Sequence, residues 1–217
     1  MRENLPVYCE TSLNPLGTFP AEPVNAATSF APVIFGALAL LFLLRQKREN
    51  RITYALAVLT IFTGMGSIVW HASRTELALL FDALPGVIYF AALLFFWCYY
   101  LRGRYVGLIL LAAIVALMVF LPPPAGTTNQ IIIVVVIAAI AAGLLIATWM
   151  RKREAFPFAV LMVGGAVIAL VLRTADLSLC ATIPVGTHFF WHIFLGAAAY
   201  AGVRMMSVLK YAGGEIR

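Results

Sequence analysis

The chain has 217 residues, of which 63% are hydrophobic and 11% charged, with a net charge of +6. A soluble domain carries about a quarter of its residues as charges, a disordered one is more polar still, and three cysteines do not make a disulfide-stapled scaffold. What remains is an all-α polytopic membrane protein, with room for about seven or eight crossings at roughly 20 apolar residues each.

Residues 1–22 do not read as a cleavable signal: no basic stretch precedes an apolar one, and Pro6, Pro15, Gly17 and Pro20 are interspersed with Glu10 and Glu22. They form an outer N-terminal segment. Seven apolar runs follow, at 23–44, 52–72, 76–101, 105–121, 130–150, 155–173 and 186–209. Between them lie the basic run 45–51, a tight turn around Arg74, Arg102-Gly103-Arg104, the proline-rich stretch 122–129, the basic stretch 151–154, and the loop after Arg173. The expectation is one seven-transmembrane catalytic domain over 23–209 and a short tail, 210–217.

Basic residues set the orientation. In this topology the N-terminal side holds Arg2, Arg74 and Arg173, three against twelve on the other, Lys47, Arg48 and Arg217 among them. Cytoplasmic loops carry the excess of Lys and Arg. The N-terminus is therefore read as outside and the C-terminus as cytoplasmic. The net charge reflects this asymmetry and implies no nucleic-acid partner.

Ionisable groups in a span are expensive and point to function. All three histidines, His71, His188 and His192, lie in apolar runs. His188 and His192 share a helix face at i, i+4, a spacing suited to one metal ion. Ser67 stands one turn before His71, and Asp82 follows in the third helix. The predicted topology brings all five to a similar depth beneath the outer face. Three neutral imidazoles with an open coordination position describe a catalytic zinc site, at which water has its pKa lowered to about 7. Asp82 would act as general base and Ser67 as donor to the developing oxyanion. Taken singly these residues have plainer readings: a membrane histidine bonds a carbonyl, an aspartate pairs with an arginine, and Ser67 in Gly64-Met65-Gly66-Ser67 lets helices approach. Their joint placement favours the metal site.

The pieces Gly66-Ser67-Ile68-Val69-Trp70-His71, Asp82 and His188-Phe189-Phe190-Trp191-His192, with Tyr8-Cys9-Glu10 and Ala21-Glu22-Pro23-Val24-Asn25, resemble the alkaline ceramidases. These belong to the CREST superfamily of seven-helix hydrolases, which also contains the progestin and adipoQ receptors. The resemblance implies zinc on His71, His188 and His192, with Asp82 beside the zinc water and Ser67 on the amide oxyanion. The implied reaction cleaves a ceramide-like membrane lipid to a fatty acid and a sphingoid base. In that family an acidic N-terminal cluster also binds calcium. Glu10 and Glu22 match it, but Val7 and Ser12 replace two expected oxygen ligands, which weighs against calcium.

Cys9 and Cys180 both fall on the outer side, where a disulfide can persist. A bridge between them also fits the resemblance, with two free thiols as the other reading. Cys98 reads as a packing residue. Arg173 and Asp176, three apart, suggest a local ion pair, and the aromatic run 95–100 an interfacial anchor. The fourth and fifth spans hold no ionisable group and either face lipid or line an acyl-chain cavity. The competing function is a seven-helix lipid sensor or receptor with a structural zinc site. Asp82 and Ser67 favour the hydrolase, since a structural site needs neither base nor open position. No protein partner can be inferred.

Overall fold

The computed structural model describes residues 5–14, 17–46, 51–120 and 128–211. Arg2, Lys47, Arg48, Arg217, the proline-rich 122–127 and the tail 212–217 lie outside the described residues. The described residues form helices α1 (Cys9–Leu13), α2 (Pro23–Thr28), α3 (Phe30–Gln46), α4 (Arg51–Ser73), α5 (Glu76–Arg102), α6 (Arg104–Phe120), α7 (Thr128–Arg151), α8 (Phe156–Leu179) and α9 (His188–Tyr211), with no strand among them.

Six helical segments are long and apolar enough to cross a membrane: Pro23–Gln46, Arg51–Ser73, Glu76–Arg102, Ile132–Arg151, Phe156–Leu179 and His188–Tyr211. The chain is thus an integral, multi-pass α-helical protein. The fourth expected span falls on α6, an apolar helix of 17 residues that is shorter than the six segments long enough to cross. Burial shows the inversion a bilayer imposes. On α3 the buried positions are Pro32, Gly36, Ala39 and Leu43, a stripe at helical spacing, while Ile34, Leu38, Leu41 and Leu44 are exposed. In water that exposure would be costly; in lipid it is neutral, so small residues take the helix contacts instead. α3 packs on α4, and a Cβ at Gly36 would lie 2.9 Å from the Ala57 carbonyl oxygen.

Two compact units are present, Met1–Tyr89 with Leu161–Val203, and Phe90–Val160 with Arg204–Arg217. The first contains every candidate site residue. In the second, Trp97 Nε1 donates to Thr148 Oγ1 at 2.9 Å and Arg151 donates to the Leu101 carbonyl at 2.9 Å. Phe95, Phe96, Tyr99 and Tyr100 form its aromatic cluster, and Cys98 is a buried free thiol.

One boundary departs from expectation with consequences for the site. α8 continues to Leu179, six residues past the expected end at Arg173. Asp176 therefore sits inside the helix, and the local ion pair with Arg173 does not form. The Asp176 carboxylate instead accepts from the backbone N–H groups of Cys9, Thr187 and His188. The Arg173 guanidinium lies over the Trp191 ring, 4.9 Å from its centroid.

Candidate metal centre

Three pieces of chain meet at the histidines: the last turn of α4, the first turn of α9, and the N-terminal segment. α9 begins at His188 because its first free N–H groups have an acceptor. Asp176 Oδ1 takes Thr187 N–H at 2.6 Å and His188 N–H at 2.8 Å, while Oδ2 takes Cys9 N–H at 2.9 Å. One carboxylate thus caps a helix start and ties the N-terminal segment to it. The turn before α9 depends on Gly186, whose φ of +72° suits glycine and whose hydrogen-only side leaves room for the carboxylate; a Cβ there would fall 2.0 Å from Asp176 Oδ1. A disulfide joins Cys9 to Cys180, with Cα atoms 5.3 Å apart. Tyr8, next to it, stacks on His188 with ring centroids 3.8 Å apart.

His71, His188 and His192 are all buried, and one ligand nitrogen from each lies within 4.8 Å of the others. Hydrogen bonding fixes two tautomers. His71 Nδ1 is 2.5 Å from Glu22 Oε2; a carboxylate only accepts, so Nδ1 carries the proton. His192 Nδ1 is 3.0 Å from Thr28 Oγ1, whose own hydroxyl donates to the Val24 carbonyl at 2.9 Å. With its proton on that carbonyl, the Thr28 oxygen is open to accept from His192 Nδ1–H, the same tautomer as His71. Both Nε2 atoms are left as lone pairs, and they face each other at 3.1 Å. Two lone pairs at that distance repel unless a cation lies between them. The Nδ1 of His188 is buried without a protein partner. This donor set fits a divalent metal ion: three imidazoles converge, and two are held by hydrogen bonds on the far ring nitrogen, as metal-ligating histidines are.

Glu22 is fully buried and well partnered. Oε1 accepts from Thr11 Oγ1 at 2.5 Å and lies 3.2 Å from Arg74 Nη1. Oε2 accepts from His71 and, at 3.4 Å, from Asn25 Nδ2. Burial alone would raise its carboxyl, but the hydrogen bonds from His71 and Thr11 and the charge of Arg74 outweigh burial and hold it below the ordinary carboxylate range. Glu10 is bonded to the N–H groups of Val24 at 2.6 Å and Asn25 at 2.8 Å; burial pushes its carboxyl up against those two bonds. These oxygens do not suit the calcium role that the resemblance suggested. All four have protein donors, and a guanidinium already balances Glu22.

Ser67 and Asp82 come from α4 and α5. Two features of the sequence bring those helices together. Pro85 lacks the N–H that the Phe81 carbonyl would otherwise receive, and Gly66 leaves room for that carbonyl: a Cβ at 66 would lie 2.1 Å from the Phe81 oxygen. Ser67 is buried and Asp82 half-buried. Ser29 Oγ stands 3.0 Å from Ser67 Oγ.

The sequence reading did not foresee Thr28, Tyr8 and Asp176 as supports of the histidines, or Glu22 as the partner of His71. Thr28 and His192 are 164 residues apart, and nothing local marks either as the other's partner. The one available signal was Asp176 itself, an acidic residue in an otherwise apolar helix.

Fold and site together define a multi-pass α-helical membrane protein with a buried three-histidine metal-type centre. The Ceramidase family model matches residues 8–215, and the chain belongs to the ceramidase family. That membership makes it an amidohydrolase with a ceramide-type lipid as substrate. No individual curated protein matches the chain.

Proposed function

We propose that the protein is a zinc-dependent ceramide hydrolase. His71, His188 and His192 hold the metal, Asp82 is the general base and Ser67 stabilises the oxyanion. The observation that carries this reading is the pair of Nε2 atoms 3.1 Å apart, with each ring held by a bond at its own Nδ1. When bound, zinc lowers the pKa of a coordinated water to about 7 and polarises a carbonyl oxygen. Asp82 then takes a proton from the attacking water on its carboxylate. The water oxygen adds to the amide carbon, the Ser67 hydroxyl donates to the amide oxygen, and the C–N bond breaks. Asp82 returns its proton to the departing nitrogen. The products are a fatty acid and a sphingoid base. Calcium has no part in this scheme, because Glu10 and Glu22 are engaged within the protein.

The basic residues place the N-terminus, and with it the site, near the non-cytoplasmic face. The purified protein is expected to hold about one zinc, the stoichiometry of a single catalytic site. His192→Ala should lose both metal and ceramide cleavage. Asp82→Asn should keep the metal while turnover falls by about 10²–10⁴. Metal analysis combined with mass-spectrometric product detection checks both. Undiminished turnover in Asp82→Asn removes the general-base assignment, and full activity in metal-free wild type removes zinc.

A further inference from the structure

Arg74 is the only residue other than glycine, among the described residues, whose backbone lies in the left-handed region, with φ of 52°. It forms the short turn between α4 and α5, where glycine or asparagine would sit at ease. A large residue persists in such a conformation when its side chain is held, and here the hold is extensive. The guanidinium lies over Trp70, 4.2 Å from the ring centroid, and 5.5 Å from that of Tyr8. Nη2 donates to the Pro6 carbonyl. Nη1 is 3.2 Å from Glu22 Oε1, and the other oxygen of that carboxylate accepts from His71 Nδ1.

We propose that Arg74 is a positioning residue for the metal centre: a fixed internal cation that balances the buried charge of Glu22 and keeps Oε2 turned to His71, so that His71 presents Nε2 to the metal. Thr11 and Asn25 donate hydrogen bonds to Glu22, whereas Arg74 meets it as an ion pair. Those two donors are neutral and orient the carboxylate without balancing its charge. A buried carboxylate needs a counter-charge, and among the described residues Arg74 is the Lys or Arg paired with it. Partners one shell beyond a ligand tune metal affinity, and Arg74 acts one step further out, through Glu22. This inference rests on the zinc reading above.

The test is a zinc-chelator competition on detergent-purified, full-length protein loaded with zinc, comparing wild type with Arg74→Asn, Arg74→Lys, Glu22→Gln and the Glu22→Gln/Arg74→Asn double variant. Asparagine tolerates the left-handed backbone, so the turn is preserved while the charge is removed; Arg74→Gln serves if the asparagine variant does not accumulate. Arg74→Asn should weaken zinc retention by about tenfold, the lower end for an outer-shell partner. Arg74→Lys should recover most of the loss, and Glu22→Gln should weaken retention at least as much as Arg74→Asn. Adding Arg74→Asn to Glu22→Gln should cost nothing further. Unchanged zinc retention in Arg74→Asn overturns the proposal. So does a double variant about tenfold weaker than Glu22→Gln alone, which would make Arg74 an anchor of the turn only. Wild type that takes up no zinc overturns the metal reading and this inference with it.

Discussion

The hydroxyl of Ser67 has one proton and the Ser29 hydroxyl as neighbour. Ser29 Oγ is 3.0 Å away, but the Ser29 hydroxyl has a shorter bond, 2.7 Å, to the Asn25 carbonyl. Ser29 thus does not need the Ser67 proton, which in the proposed mechanism turns to a substrate oxygen. Ser67→Ala is expected to lower kcat by about 10²-fold, the loss of one oxyanion donor, while zinc content stays at the wild-type level; metal analysis beside steady-state kinetics checks it. Calcium provides a second prediction at this scale. Because the oxygens of Glu10 and Glu22 already have protein donors, adding calcium to calcium-depleted, zinc-loaded protein should move neither the thermal midpoint nor the rate. The residue types at the site were legible in the sequence, since three histidines and one aspartate stand out in an apolar chain. Their outer partners were not, because Glu22 is a common surface residue until folding places it against His71, 49 residues away.

Among the helices, the approach of α4 to α5 carries the most weight. Gly66 faces the Phe81 backbone, and backbone cannot rotate aside as a flexible side chain would. Gly66→Ala should therefore push the helices apart, costing roughly 1–3 kcal/mol as overpacking does, and should separate Asp82 from Ser67. The expected result is a lower thermal midpoint and a kcat loss larger than any loss of zinc, since all three histidines lie outside this contact. Composition and hydrophobic runs located the helices to within a few residues for most of the chain. α8 was the exception. A charged residue, Arg173, was read as the membrane boundary, yet the helix continues because the charge of Asp176 is met by backbone donors from two other segments.

For the molecule as a whole, sidedness is the property the basic residues predict and helix geometry alone leaves open. Cys98 is the one free cysteine and is buried, so single cysteines introduced elsewhere report cleanly. Thr75→Cys, between α4 and α5, should react with a membrane-impermeant thiol reagent applied to intact cells. Arg153→Cys, between α7 and α8, should react only after the membrane is opened. The reverse pattern would put the site on the cytoplasmic side.

The sequence by itself determined the membrane class, the apolar helices and the candidate residues for chemistry, because each depends on composition, periodicity or the rarity of a polar group in an apolar run. Tertiary structure alone decided which nitrogens of His71 and His192 face each other, what Asp176 and Glu22 bond, and how closely α4 approaches α5 at Gly66. Those outcomes hang on hydrogen bonds and backbone approaches between segments far apart in the chain, and local residue order does not encode such distances.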